Sequence, residues 1–342
     1  MRGRLTNPWW AATLCSLLLL AGCGGGDDGA GGGGPGTGEG ARAAQTRSKL
    51  DGADTPRRAD FPQPREGQTL QDFANGVGAT GTQIGLATET FVPGRNRLAF
   101  GVLSADNSFV YGPTAVYVAR TPESTDVRGP YVAPADLLVT EPAFRSQQAA
   151  TEKDPFAAVY EADRVPFSSP GEWSVLVVTR VGGNLVAAPT SVTVREDDPI
   201  PAVGDKAPVV ETDTAAEDGG PQAVDTRRPT SDLHDVSFDD VVGKKPVALV
   251  FATPQLCQSR VCGPVVDIAL QLREKYGDRM EFIHQEVYVD NDPNKGLREP
   301  LRRFNLQTEP WLFTVSEDGR IAARLEGSFG LRAFERAVRA AR

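Results

Sequence analysis

Apolar positions recur along this chain with different spacings, and each spacing predicts a different kind of structure. In residues 61–196 the apolar stretches are short and separated by turn residues. Residues 83–88, 97–103, 108–111, 114–120, 156–160, 173–180 and 190–195 each read as a strand. Gly182-Gly183-Asn184 supplies a hairpin turn, because these residues tolerate the positive φ that such turns need. Seven short strands with turns between them predict an all-β sandwich, with Phe100, Tyr117 and Trp173 as core side chains. From residue 246 the pattern changes. Residues 246–251 are continuously apolar, as in a strand buried on both faces. In residues 262–276, Val265, Ile268, Ala269, Leu272 and Tyr276 fall on one helical face. A strand over 280–289 and a short helix over 297–304 follow. Residues 311–315 and 321–325 read as a hairpin across Ser316-Glu317-Asp318-Gly319, and 331–342 as a closing helix with Phe334 and Val338 inward. This β-α-β-α-β-β-α order predicts an α/β fold over 203–342. Residues 197–202, polar and proline-bearing, read as a linker, and a fragment starting near Val203 is expected to fold alone. Residues 211–232 are acidic, carry Gly and Pro, and have no periodicity, which predicts an ordered-to-mobile loop with no assigned role.

The N-terminus carries a different pattern. Arg2 and Arg4 precede a run of about 13 largely apolar residues, 9–21, which is shorter than the roughly 20 a membrane-spanning helix needs and suits a signal-peptide core. The run ends in Leu20-Ala21-Gly22-Cys23, which resembles the lipobox of bacterial lipoproteins. The resemblance implies a signal peptide over 1–22, cleavage before Cys23, acyl chains such as palmitate on Cys23, and a chain held on the extracytoplasmic face of the cell membrane. Several acyl chains would hold firmly, since each buried CH₂ contributes about 0.8 kcal/mol. Residues 23–60 are rich in glycine and polar residues and predict a disordered tether.

Composition narrows the function. The net charge is −9, and loss of Arg2 and Arg4 with the signal leaves 34 basic against 45 acidic residues, a net of −11. That balance argues against nucleic acid or anionic lipid as a partner held by basic patches. Two histidines and four cysteines exclude a metal site rich in either residue, so no metal and no cofactor are expected. Within 61–196 there is no His or Cys, hence no visible catalytic constellation. Residues 169–173 (SPGEW), leading into 174–178 (SVLVV), resemble the late strands of extracytoplasmic immunoglobulin-like modules, without an inter-sheet disulfide.

The candidate chemistry lies in Cys257 and Cys262, the cysteines left once Cys15 departs and Cys23 is lipidated. They follow a buried strand and open a helix, where amides and the helix dipole favour a thiolate. Residues 203–208 (VGDKAP) resemble the lead-in of redoxin domains. Cys262-Gly263-Pro264 resembles the start of the thioredoxin Cys-Gly-Pro-Cys motif, with Val265 where the second cysteine would stand. The resemblance implies a thioredoxin-like fold and puts Cys262 at the nucleophile position. Cys257 is then the resolving thiol. Gly263 is expected to let backbone amides approach, and Arg260 could depress a thiol pKa. Pro310, in Thr308-Glu309-Pro310-Trp311-Leu312-Phe313, matches the cis-proline that faces the active cysteines, and its backbone would pair with a bound chain.

Two functions follow. The first is thiol–disulfide exchange or redox response with a thiol or disulfide of an extracytoplasmic protein. The second is a non-catalytic binding or scaffold module with a structural Cys257–Cys262 disulfide. SCO-type copper chaperones need a well-placed downstream His, and His284 lies 22 residues after Cys262 in mid-strand. Peroxiredoxins need a Thr three residues before the reactive Cys, and Thr253 stands four before Cys257.

Overall fold

The computed structural model describes residues 50–342 apart from 51, 79, 80, 152 and 155. The signal segment, Cys15, Cys23 and most of the glycine-rich stretch lie outside the described residues. Packing begins earlier than composition predicts. Leu50 and Ala53 are buried, and a short 3₁₀ turn forms at Arg58–Asp60, so the disorder expected up to residue 60 does not extend over the last ten.

Three four-stranded sheets and few helices make up the described residues. Helix α1 (Leu70–Val77) precedes the first eight strands: β1 (Gln83–Leu86), β2 (Gly94–Leu103), β3 (Thr114–Ala119), β4 (Arg128–Val132), β5 (Ala135–Leu137), β6 (Ala158–Phe167), β7 (Gly171–Val181) and β8 (Asn184–Val194). They form two antiparallel sheets, ordered β1-β2-β6-β5 and β4-β3-β7-β8. Alternate residues face inward. Leu98, Phe100 and Val102 of β2 meet Val116, Val118, Trp173, Val175 and Val177 of the other sheet in one apolar cluster. Gly182 and Gly183, with φ of 56° and 86°, make the tight β7–β8 turn. The reading of residues 108–111 as a strand is corrected. Only an isolated bridge pairs Leu103 with Phe109, because Gly112 leads straight into β3. Strands β4 and β5 were not legible: each is short, and Pro130 and Pro134 interrupt the alternation.

Short helices α2 (Pro221–Val224) and α3 (Phe238–Val241) lead into β9 (Val247–Phe251), α4 (Cys262–Tyr276), β10 (Glu281–Gln285), α5 (Glu299–Arg303), β11 (Trp311–Val315), β12 (Ile321–Glu326) and α6 (Leu331–Ala340). The sheet runs β10-β9-β11-β12. β9 and β10 are parallel across the α4 crossover, and β11 is antiparallel to both neighbours. Val247, Leu249 and Phe251 face Phe304, Trp311 and Phe313 on one side, while Ala248 and Val250 face α4 and α6 on the other. Part of residues 211–232 is packed: Thr212, Val224, Asp225, Thr226 and Arg227 are buried, while 216–219 and 221–222 stay exposed. The polarity of the buried part reflects internal hydrogen bonds rather than solvation.

The described residues fall into a single compact unit. The outer face of the β1-β2-β6-β5 sheet shares a core with the α/β part, where Ala99 and Val159 pack with Val265, Ile268 and Phe334. The joint is also polar. Asp136 of β5 accepts from the amides of Arg332 (3.0 Å) and Ala333 (2.8 Å), capping α6, whose own N-cap is Gly330. Glu161 pairs with Arg97 at 2.7 Å and with Arg336. The linker at 197–202 is therefore a change of topology and not a hinge between separate bodies. A fragment starting at Val203 would expose the α4–α6 face that the sandwich covers here.

Candidate functional site

Beyond β9 the chain leaves the sheet at the carboxyl ends of its parallel strands, where open α/β sheets place their ligand crevices. Thr253 O accepts from the amides of Leu256 (3.3 Å) and Cys257 (3.1 Å), and Cys257 O accepts from that of Arg260 (3.3 Å). Arg260, at φ 60°, reverses the chain. Cys257 is thereby folded back over the start of α4, and its sulfur stands 2.6 Å from the sulfur of Cys262, the first helical residue. An S–S bond is about 2.05 Å, so the pair is about half an ångström from covalent distance.

The two thiols differ sharply. Cys257 is 9% exposed and Cys262 is wholly buried. The Cys262 thiol donates to Cys257, and the Ser259 hydroxyl (3.2 Å) and the amides of Cys262 and Val261 add to it. Together they overcome burial and bring the Cys257 thiol down to about 6. Burial first, then the hydrogen bond and charge of Cys257, push Cys262 well above the ordinary thiol range. In the reduced pair Cys262 is thus the hydrogen-bond donor and the more deeply buried sulfur, and Cys257 the acceptor. The helix-terminal amides serve the sulfur that folds back over them, not the one on the helix. Gly263 has a different role from the one expected. A Cβ there would lie 2.6 Å from Gln148 Cβ and 2.7 Å from its carbonyl oxygen, so glycine lets the segment from the sandwich reach the helix. Arg260 places its guanidinium 5.3 Å from the Phe156 ring centroid.

A cleft of about 410 Å³ opens beside the pair, bounded by Ser259, Val261, Tyr288, Glu309 and Pro310 and, from the sandwich side, Leu86 and Ala87. Pro310 follows a cis peptide bond. Its carbonyl accepts from Gly327 at 2.8 Å, and proline has no N–H, so its backbone has no free donor to pair with a bound chain. Glu309 escaped the sequence analysis although it precedes that proline. Burial, then the charges of Cys257 and Glu286, push its carboxyl up to about 7. It is a carboxylic acid able to give or take a proton near neutral pH beside the sulfurs.

A second polar group lies in the same part of the fold. The two histidines of the chain, 50 residues apart, meet with His234 Nε2 at 3.1 Å from His284 Nδ1. Asp225 stands beside them, and all three are buried. Burial brings His284 down to about 4. Glu286 accepts from the amide (2.8 Å) and hydroxyl (2.6 Å) of Thr226, and burial raises its carboxyl. Asp225 was missed because it sits in the segment without periodicity, and His234 lies just beyond its end.

No protein-family model matches the chain, and no curated protein matches it. Among solved structures, a protein described as thiol:disulfide interchange protein DsbE from Chlorobium tepidum is 16% identical. That match covers 41% of this chain and 98% of that one, with a TM-score of 0.30. The PKD domain of a human VPS10 domain-containing receptor is 15% identical over 36% of this chain and 78% of that one, with a TM-score of 0.18. An endo-β-1,4-mannanase from Thermotoga petrophila is 10% identical over 34% and 20%, with a TM-score of 0.18.

Proposed function

We propose that the protein is a lipid-anchored, extracytoplasmic thiol–disulfide oxidoreductase with Cys257 as nucleophile and Cys262 as resolving thiol. The observation that carries this reading is the asymmetric pair: next to a cleft lined by Ser259, Val261, Glu309 and Pro310, the Cys257 sulfur stands 2.6 Å from the wholly buried Cys262 sulfur that donates to it. The Cys257 thiolate attacks one sulfur of a partner disulfide, the partner's S–S bond breaks, and its departing thiolate takes a proton from Glu309. Glu309 then accepts the Cys262 proton as that sulfur attacks Cys257. The mixed disulfide breaks, the second partner thiolate leaves and is protonated in turn, and the intramolecular disulfide remains. The partner disulfide is reduced to two thiols and the protein's dithiol is oxidised. The reverse sequence oxidises a partner dithiol.

In this reading the sandwich is an immunoglobulin-like module that holds the α/β part off the membrane, Cys23 carries the lipid, and nucleic acid has no part. Cys23→Ser should abolish membrane retention. For the exchange itself, Cys262→Ser should accumulate a mixed disulfide with a disulfide substrate and Cys257→Ser should not. No adduct in either variant would overturn the reading.

The burial of both sulfurs favours a second reading, a fixed structural bridge. A reduction potential far below about −300 mV would support that bridge, and a higher one the working pair.

A further inference from the structure

We propose that Asp225, His234 and His284 form a three-ligand site for a divalent transition-metal ion, zinc by donor set, which clips residues 225–234 onto the outer edge of the α/β sheet.

The geometry suits a shared ion. His234 Nε2 is 3.1 Å from His284 Nδ1, His234 Nε2 is 3.6 Å from Asp225 Oδ2, and His284 Nδ1 is 3.8 Å from Asp225 Oδ1. Two ligand atoms at about 2.05 Å from one ion, at the tetrahedral angle, stand about 3.3 Å apart. The three separations bracket that value, and the two to the carboxylate are too long for hydrogen bonds.

The surroundings orient the ligands as metal sites do. His284 Nε2 lies 2.9 Å from Ala252 O. A carbonyl can only accept, so Nε2 carries the proton and Nδ1 presents its lone pair towards the cluster. Without an ion, His234 Nε2 donates to His284 Nδ1; His234 Nδ1 has no hydrogen-bond partner, so nothing opposes its taking the proton when an ion replaces that hydrogen bond. Asp225 is held by the Arg227 amide (2.7 Å) and by the amide (2.6 Å) and hydroxyl (2.8 Å) of Ser231. The Arg227 guanidinium does not neutralise it. That group turns instead to Asp267 (2.9 Å), Pro229 O and Phe144 O. The wholly buried carboxylate therefore faces two imidazoles and no fixed cation. Two nitrogens and one carboxylate oxygen, with no thiolate, select zinc or a neighbouring late first-row ion over calcium or magnesium.

The position gives the ion a role. β10 is an outer strand of its sheet, and the segment carrying Asp225 and His234 covers it, with the His284 amide donating to Leu233 O at 2.9 Å. This long segment has little secondary structure of its own, and a clip across a long loop removes much of its unfolded-state freedom.

The test uses the full chain and zinc itself. We expect about one zinc per chain after dialysis against metal-free buffer. Chelation should lower Tm and speed proteolysis within residues 211–232, and added zinc should reverse both. Co²⁺ should give the visible bands of a tetrahedral nitrogen–oxygen site. His284→Ala should weaken zinc binding by more than the roughly 10–100-fold that loss of an outer-sphere partner costs. A Cys257→Ser/Cys262→Ser double variant should bind zinc unchanged, which separates this site from the thiol pair and leaves the exchange reading untouched either way. Should a histidine variant not fold, chelation and readdition on the unmodified chain decide. Absence of retained zinc with Tm indifferent to zinc and chelator would overturn the proposal, as would zinc binding lost in the cysteine double variant.

Discussion

The space between the two sandwich sheets and the space at the carboxyl ends of β9 and β10 are both lined by buried side chains, and they hold opposite chemistry. Between the sheets lie Leu98, Phe100, Val116, Phe167, Trp173 and Val175. The polar atoms there are paired: Tyr160 Oη accepts from the Gly112 amide at 2.8 Å, and Trp173 Nε1 donates to Ser169 O at 2.9 Å. At the strand ends the buried groups are Cys257, Cys262, Asp225, His234, His284 and Glu286. A buried polar atom without a partner costs about 1–3 kcal/mol, and His234 Nδ1 is one. The sandwich core contributes stability and no reactive group. The other region accepts that cost and gathers its ionisable groups against one another. Burial alone does not mark a scaffold; what the buried groups face decides it.

Four measurements test this division, from the largest expected effect to the smallest. Cys257→Ser should cut thiol–disulfide exchange on the order of 10³-fold or more, since Cys262, the other described cysteine, is wholly buried, while changing Tm little. Exchange that survives in this variant would return the nucleophile to Cys262.

Phe167→Ala is the converse. Its ring packs against Phe91 and Trp173, and its loss should cost about 3–5 kcal/mol in denaturant unfolding. The alkylation midpoint of Cys257 should stay near pH 6. A shifted midpoint would show that the sandwich core tunes the thiols.

Gly263→Ala tests the joint between the regions. The added methyl collides with Gln148, for an expected cost of about 1–3 kcal/mol. Thermal unfolding of the full chain should register it as a single lowered transition. Two separated transitions would mean that the parts unfold independently.

The smallest effect is electrostatic. In the reduced protein the Cys257 thiol is held below its ordinary range, so its contribution to stability is full above about pH 9 and is lost as pH falls through about 6. Glu309 is raised, so its contribution is full below about pH 4.5 and is lost as pH rises through about 7. Glu309→Gln removes a negative charge beside Cys257 and should lower the alkylation midpoint by about half a pH unit. It should also remove the fall in stability between pH 4.5 and 7. An unmoved midpoint would mean that the carboxyl does not face the sulfur.

Sequence by itself determined the elements whose patterning repeats. The α4 boundaries, Cys262–Tyr276, follow from apolar spacing, and β11 and the β7–β8 turn follow from runs and glycines. It also determined that Cys257 and Cys262 lie at a strand-to-helix junction. The tertiary structure decided which sulfur donates and which accepts, because Cys257 folds back onto the helix amides while Cys262 is covered. It decided that the end of residues 211–232 is packed, because Thr226 and Arg227 are satisfied by partners 40 or more residues away, at Glu286 and Asp267. It made one packed unit of two patterns that differ in sequence, because Ala99 and Val159 face α4 across a sheet buried on both sides. Local spacing specifies which face of an element is apolar. Which other element covers that face, and which polar groups meet there, is set by contacts between residues far apart along the chain.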